Sequence, residues 1–196
     1  MPGIPAVVKE PHSILRKVAR TVPVRDITGP KIQGLISRLK KTLAVTPDGV
    51  GLAAPQVGES LQIFIVSSEA EEIDSVEKLL ADKKLAELKE RQEAKEKKKW
   101  KYHVFINPVV KNVSKRKTER SEGCLSVPGK FGAVKRQEKI TVEAYDEYGR
   151  KFTRGSTRFF ARVIQHELDH LRGTLFIDKA EKIFESDTAV GKRKEI

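Results

Sequence analysis

The stretch STRFFARVIQHELDHLRG, residues 156–173, has the apolar periodicity of an amphipathic helix. Ser156 or Thr157 is expected to cap the start of this helix, and Gly173 to end it. His166 and His170 are four residues apart, so both imidazoles project from one helix face. Two neutral imidazoles at this spacing can bind one divalent ion. The stretch therefore predicts a C-terminal helix that carries an H-E-x-x-H metal motif.

Glu167 follows the first histidine of the motif, and its carboxylate is expected to point toward the same site. There it would polarise a metal-bound water and carry its proton. Gln165 and Asp169 are candidates for orienting an imidazole N–H, although solvated side chains are the alternative. The alternative is a helix with two surface histidines and no metal. It is disfavoured because the chain has 4 histidines in all, so the H-E-x-x-H spacing rarely arises by chance.

Two histidines leave a catalytic metal one protein ligand short. Glu181 and Glu185 are candidates downstream of the motif. Cys124, the single cysteine, is the other candidate, since its thiolate is a good ligand for soft metals. The alternative roles for this cysteine are a small buried hydrophobic residue or a nucleophile. Two histidines and one cysteine also occur in blue copper sites, but the axial methionine expected there has no counterpart beyond Met1.

The composition indicates a folded body with a charge-rich excursion, because 34% of the 196 residues are charged and 38% are hydrophobic. We expect one catalytic domain over residues 1–196. Residues 69–101 contain no glycine or proline and are dominated by Glu, Lys, Ala and Leu, which predicts one or two protruding helices inserted between strands. A solvated helix is favoured here over an arm that binds a partner. A polar tail is expected from about 180 to 196.

The remaining elements are grouped rather than strictly alternating. An apolar stripe predicts a helix that starts with Thr28 as cap and Pro30 in the first turn. Residues 61–67 read as a strand, residues 103–115 as two strands broken at Pro108, and residues 139–153 as a hairpin. This grouping favours an α+β fold with antiparallel sheets over a doubly wound one.

The sequence also bears on location and partners. The first residues lack the pattern of a signal peptide, and no apolar run approaches the ~20 residues that span a bilayer. A cytoplasmic protein without a membrane partner is therefore expected. The net charge of +12 is explained by solubility or by weak attraction to a nucleic-acid-rich machine. No motif for sequence-specific nucleic-acid binding is present in the sequence.

Three segments together resemble the peptide deformylase family: GVGLAAPQ at 49–56, EGCLS at 122–126 and QHELDH at 165–170. The likeness extends from about Val7 to Asp178 and fails in the charged segment, which looks longer than the family's usual connection. The resemblance implies Cys124, His166 and His170 as ligands of one divalent ion. Fe²⁺ is the family's typical ion, and Zn²⁺, Ni²⁺ and Co²⁺ are alternatives.

The resemblance also assigns roles around that ion. Glu167 would be the general base, and Gln56 with the backbone N–H of Leu125 would bind the oxyanion. Glycines allow an extended substrate to approach the backbone closely. The residues expected to bind substrate are Gly51, Gly123, Val50 and Val163. Phe159 and Val163 would wall an apolar pocket, although core packing explains Phe159 equally well.

The activity implied is removal of the N-formyl group from formyl-methionine at the start of new polypeptides, with release of formate. Formyl-methionyl nascent peptides are then the substrates, and transient contact with the ribosome is a hypothesis based on the positive charge. Two alternatives are a zinc peptidase, which fits the helix motif but not Cys124, and a non-catalytic ribosome binder. Glu167 argues against the binder, which needs no base beside a metal.

Overall fold

The protein is described by a computed structural model over residues 6–81, 101–186 and 193–195. Two antiparallel sheets form its framework. The five-stranded sheet has the order β1–β2–β3–β6–β7, with strands Gly51–Ala53, Ile63–Ser67, Tyr102–Val113, Lys139–Tyr145 and Lys151–Thr157. The four-stranded sheet has the order β4–β5–β8–β9, with strands Lys117–Cys124, Val127–Gln137, Ile183–Ser186 and Arg193–Glu195. The predicted α+β class with antiparallel sheets is confirmed.

The helices are α1 at Pro30–Ala44, α2 at Glu69–Ala81 and α3 at Arg158–Leu171. Short 3-10 turns lie at Ser13–Arg16, Val24–Asp26, Ala54–Val57 and Phe176–Asp178. The apolar stripe of α1 is buried, as its periodicity predicts. Its N-cap position is Gly29 rather than the predicted Thr28. In the described parts of the chain, no helix is long and apolar enough to cross a membrane.

Helix α3 is central to the fold. Its buried face shares a core cluster with Phe64 and Phe105 of the five-stranded sheet, whose rings stack with centroids 4.6 Å apart. Nearly all of the helix from Phe160 onward is buried. The first histidine of its motif is the exception and is half-buried. This burial holds the motif at a defined place between the two sheets.

Strand β3 differs from the prediction of two strands broken at Pro108. It runs continuously through this proline, and its pairing with β6 shifts register between Ile106 and Val109. Asn107 adopts a positive φ of 50° at the same point. The proline is accommodated as a bulge because it cannot donate to the ladder.

The predicted charged segment and the predicted polar tail are each described in part. In residues 69–101, helix α2 agrees with the predicted helical structure, and Ala70 at its start is fully buried in the core cluster of the five-stranded sheet. Residues 82–100 lie outside the described part. The expected polar tail contributes a strand, because β8 pairs with β5 through Phe184 opposite Phe131. Cross-strand pairing of these apolar residues holds β8 against β5.

Candidate metal centre

Helix α3 and the end of β4 bring one sulfur and two ring nitrogens together. One ligand atom from each of Cys124, His166 and His170 lies within 4.8 Å of the others. Sγ of Cys124 is 3.2 Å from Nε2 of His170. Among the residues that the structure describes, this is the cluster of three such groups suited to an ion. A soft thiolate with two imidazoles suits a first-row divalent metal.

Cys124 is the last residue of β4, where the hairpin to β5 turns. The register of the hairpin shifts between Gly123 and Cys124, and Cys124 then pairs with Val127. The N–H of Ser126 donates to Sγ at 3.4 Å. The thiolate is the form of a cysteine that binds metal. The turn therefore presents the sulfur to α3 instead of burying it as a plain hydrophobe.

Glu122 orients the first histidine from behind. Its Oε2 lies 3.0 Å from Nδ1 of His166, which leaves Nε2 of that ring facing the cluster. A carboxylate on the outer ring nitrogen fixes the tautomer and orientation of a ligating histidine. This residue was not among the predicted site residues, although it lies within the EGCLS segment.

Two buried arginines hold Glu122 in turn. Arg136 donates to both carboxylate oxygens at 2.7 Å, and Nη1 of Arg162 donates to Oε1 at 2.6 Å. Arg136 also donates to Asp169 at 2.5 Å. Burial alone would raise the pKa of Glu122, but the hydrogen bonds from Arg136 and His166 outweigh it and hold this pKa far below its usual range. The network keeps a buried carboxylate ionised.

The predicted orienting residues therefore have structural roles. Asp169 belongs to the buried ion network and also accepts from Lys179 at 2.5 Å. Gln165 bonds the backbone of Gln137 in both directions, at 3.1 and 2.8 Å. Glu181, a predicted alternative ligand, pairs with Lys135 at 2.6 Å. Cys124 takes the third place in the cluster instead.

Glu167 lies on the cleft side of α3, tightly against β1. A Cβ built on Gly51 would lie 2.4 Å from Oε1 of Glu167 and 2.9 Å from Cγ1 of Val163. Burial raises the pKa of Glu167 to about 7. Within the described residues, its buried Oε2 has no hydrogen-bond partner. An ionisable oxygen without a partner beside a cluster of metal ligands fits a site that takes a metal and a reacting group.

The pKa values of the two motif histidines are shifted in opposite directions. Burial would lower the pKa of His166, but its contacts with Cys124 and Glu122 raise this pKa well above its usual value. Burial and the neighbouring His166 lower the pKa of His170. His170 is thereby favoured as a neutral imidazole, the form that binds metal.

The side chain of Gln56 is close to the sulfur. Its Nε2 is 3.7 Å from Sγ of Cys124 and 3.2 Å from Oγ of Ser126, and its Oε1 accepts from the N–H of Ala53 at 2.8 Å. The amide is therefore held with its donor side toward the cluster. Leu125 follows the cysteine, and its carbonyl accepts from Lys9 at 2.6 Å.

A cleft of about 390 Å³ opens onto these groups. Nine of the ten residues predicted for the site line this cleft. The tenth, His170, is buried behind it. Phe159 and Val163 of α3 form part of the wall, as predicted for an apolar pocket. Phe131 also lines the cleft, and a Cβ on Gly123 would be 2.8 Å from its ring. A side chain at position 123 would therefore displace this ring, whatever binds in the cleft.

The family model described as polypeptide deformylase matches residues 4–185. The chain belongs to the polypeptide deformylase family. It is 35% identical over 176 residues to peptide deformylase 1A, chloroplastic/mitochondrial, of Arabidopsis thaliana, which covers 90% of this chain and 61% of the relative. The chain thus spans about three fifths of that plant protein's length.

Solved structures of the family show the same fold. A peptide deformylase from Legionella pneumophila superposes with a TM-score of 0.70 at 32% identity, covering 91% of this chain and 87% of that one. A class I type b peptide deformylase from Acinetobacter baumannii, solved with Met-Ala-Ser bound, gives a TM-score of 0.71 at 28% identity, covering 91% and 99%.

Proposed function

We propose that this protein hydrolyses the formyl amide of N-formyl-methionyl peptides and releases formate. The observation that carries the proposal is the convergence of Cys124, His166 and His170 at a cleft that also contains the buried Glu167. Membership of the deformylase family supports the reaction. The Met-Ala-Ser found in the Acinetobacter relative supports a peptide that starts with methionine as the product.

The three ligand residues would hold one divalent ion, for which we propose Fe²⁺. When bound, the ion supplies a Lewis acid that polarises the formyl carbonyl and lowers the pKa of water. The sulfur and nitrogen donors of the site suit iron, and they suit zinc, nickel or cobalt as well. Elemental analysis of protein purified without oxygen would identify the ion, and zinc alone in an active preparation would contradict the choice of iron.

Glu167 would act as the general base and then as the general acid. Its carboxylate lies beside β1 and lines the cleft, within reach of a substrate that lies along this strand. It would take a proton from the attacking water and later deliver this proton to the departing amine nitrogen. The same oxygen pair thus serves both halves of the hydrolysis.

Gln56 and Leu125 would stabilise the oxyanion of the tetrahedral intermediate. The bond from Ala53 N–H to Oε1 fixes the carboxamide of Gln56, so that Nε2 is presented to the region of the sulfur. The backbone N–H of Leu125 would be the second donor. A pre-positioned donor of this kind typically contributes about 100-fold or more in rate.

Strand β1 and the β4–β5 hairpin would bind the peptide backbone in extended form. Val50, Gly51 and Gly123 line the cleft. Val163 and Phe159 would contact the methionine side chain in the apolar part of the cleft. Extended peptides gain affinity from main-chain hydrogen bonds and specificity from side-chain pockets.

The substrate also suggests where the protein acts. We propose that it works in the cytoplasm on chains that leave the ribosome, with transient ribosome contact promoted by the net charge of +12. An electrostatic contact should weaken with added salt. Co-sedimentation with ribosomes that is insensitive to salt would contradict it.

The test of the proposed function is formate release from formyl-Met-Ala-Ser by iron-loaded protein under anaerobic conditions. The wild-type protein should turn over, and Glu167→Gln should keep its metal while losing almost all activity. Absence of turnover by the iron-loaded wild type would refute the proposal. Loss of metal together with activity in Glu167→Gln would show that Glu167 is structural.

A further inference from the structure

The start of helix α3 has an unusual source of hydrogen-bond acceptors. Thr157 occupies the N-cap position, and its side chain makes no capping bond. Arg158, the first residue of the helix, has a positive φ of 53°, which is costly for a residue with a side chain. The helix therefore begins with local strain and without the expected cap.

The first amide groups of α3 are satisfied from elsewhere in the chain. The N–H of Arg158 donates to the carbonyl of Glu138 at 3.0 Å. The N–H groups of Phe159 and Phe160 donate to the two carboxylate oxygens of Asp74, at 2.8 and 3.1 Å. Asp74 lies on α2, 85 residues before Phe159. One carboxylate from the charged segment thus caps the helix that carries the metal motif.

Neighbouring contacts hold α2 in the place that this cap requires. Glu71, one turn earlier on α2, bonds to Arg154 and lies 3.2 Å from the ring nitrogen of His103. The guanidinium of Arg154 lies 4.4 Å over the ring of Phe160, and His103 meets the same ring edge-on. Arg154 and His103 thus contact both Glu71 of α2 and Phe160 in the first turn of α3.

The capped turn contains a wall of the cleft. Phe159 lines the cleft with Val163, one turn further along α3 and next to the motif. Phe159 is half-buried and packs against the core cluster of α3 and the five-stranded sheet. Its amide is one of the two that Asp74 accepts from.

We propose that Asp74 is a positioning residue for the substrate pocket. Its carboxylate closes the first turn of α3 and so sets where Phe159 contacts the side chain of the N-terminal residue. This inference rests on the proposed function for the identity of that residue as methionine. It assigns the described part of the charged segment a role in side-chain selection.

Two measurements test the proposal on metal-loaded protein. The first is amide hydrogen exchange at Phe159 and Phe160, with Leu168 as the reference within the same helix. The second is the ratio of affinities for the product peptides Met-Ala-Ser and Ala-Ala-Ser, which requires no turnover. The variants are Asp74→Ala and Asp74→Asn, and the control is Ser75→Ala, whose hydroxyl bonds the carbonyl of Glu71 within α2 at 3.0 Å.

Asp74→Ala should speed exchange at the two phenylalanine amides by about fivefold to tenfold, the effect of a lost N-cap, and leave Leu168 unchanged. The preference for Met-Ala-Ser over Ala-Ala-Ser should fall toward equal binding in the same variant, because Phe159 is no longer held in its place in the wall of the cleft. Asp74→Asn should retain part of both effects, since its amide oxygen still accepts one bond. Ser75→Ala should match the wild type.

Unchanged exchange in Asp74→Ala would overturn the cap. Faster exchange with an unchanged peptide preference would overturn the positioning role, and so would a wild type that does not distinguish the peptides. A wild type that prefers Met-Ala-Ser but releases no formate from the formylated peptide would refute the proposed function alone.

Discussion

Glu167 lies so close to Gly51 that a Cβ at this glycine would be 2.4 Å from Oε1 of the carboxylate. The contact joins strand β1 to helix α3 at the motif. The packing of β1 against α3 therefore requires a glycine at position 51, whether or not a substrate also approaches the backbone there. It also makes the position of the proposed base sensitive to a single methyl group.

Gly51→Ala should therefore displace the carboxylate and lower kcat/KM for formyl-Met-Ala-Ser by about 100-fold, as misplacement by about 1 Å does. The metal content should not change, because none of the three ligands is touched. The control is Gly34→Ala on α1, where a Cβ would meet nothing within 4 Å. Near-normal activity in Gly51→Ala would show that Glu167 is not held by this contact.

The buried network around Glu122 predicts a large effect on stability. Glu122→Gln removes the carboxylate that Arg162 pairs with and one of the two that Arg136 pairs with, the other being Asp169. This should cost about 3–5 kcal/mol in the free energy of unfolding. Loss of the bond to Nδ1 of His166 should also weaken metal affinity by about 10–100-fold. Urea unfolding and metal competition measure the two effects.

The matched control is Glu119→Gln on the same strand, whose exposed carboxylate lies 3.6 Å from Lys135. This change should alter stability by less than about 0.5 kcal/mol. Equal effects at the two positions would mean that the network does not stabilise the ionised Glu122.

The donor role of Gln56 predicts a loss in turnover. Gln56→Leu should lower kcat by about 100-fold to 1,000-fold with the metal retained, because an oxyanion donor acts in the transition state. Ser126→Ala is the control, since it removes the hydroxyl next to Nε2 and keeps the amide donor. A rise in KM with normal kcat in Gln56→Leu would instead indicate a substrate-binding residue.

How much of this site is readable from sequence depends on the distance along the chain. His166, Glu167 and His170 form one local motif on a helix, so their mutual geometry follows from helical spacing. Cys124 joins them across 46 residues, measured to His170. The residues alone left it as one candidate beside Glu181 and Glu185, and the resemblance to the deformylase family selected it.

Glu122, Arg136 and Arg162 were missed because their pairing depends on how β4 and β5 pack against α3. The available signal was Arg162, a charged residue on the helix face next to Val163. Asp74 was missed for the same reason, since its partners lie on a distant helix. Thr157 is the N-cap of α3, in agreement with the prediction, but its side chain makes no capping bond, and Arg158 after it has a positive φ.

The ion pair of Glu71 predicts how α2 responds to acid. Burial would raise the pKa of Glu71, but the bonds to His103 and Arg154 lower it overall. A lowered pKa stabilises the fold above the ordinary carboxyl range, and this stabilisation is lost as the pH falls through the folded-state pKa. Glu71→Gln should thus be less stable than the wild type at pH 7, by about 0.5 kcal/mol for a partly exposed pair.

The difference between Glu71→Gln and the wild type should shrink toward zero in acid, and urea unfolding at about pH 7 and about pH 3 measures it. Equal differences at both values would show that the carboxylate charge does not hold α2 in place.

The central claim is that Cys124 and the two motif histidines bind one ion. Anaerobic replacement by Co²⁺ tests it most directly, because a thiolate ligand produces a sulfur-to-cobalt charge-transfer absorption in the near ultraviolet. We predict one cobalt per chain and this absorption in the wild type, with the absorption lost in Cys124→Ser and the bound cobalt lost in His170→Ala. A cobalt-loaded wild type whose spectrum is unchanged by Cys124→Ser would contradict the account.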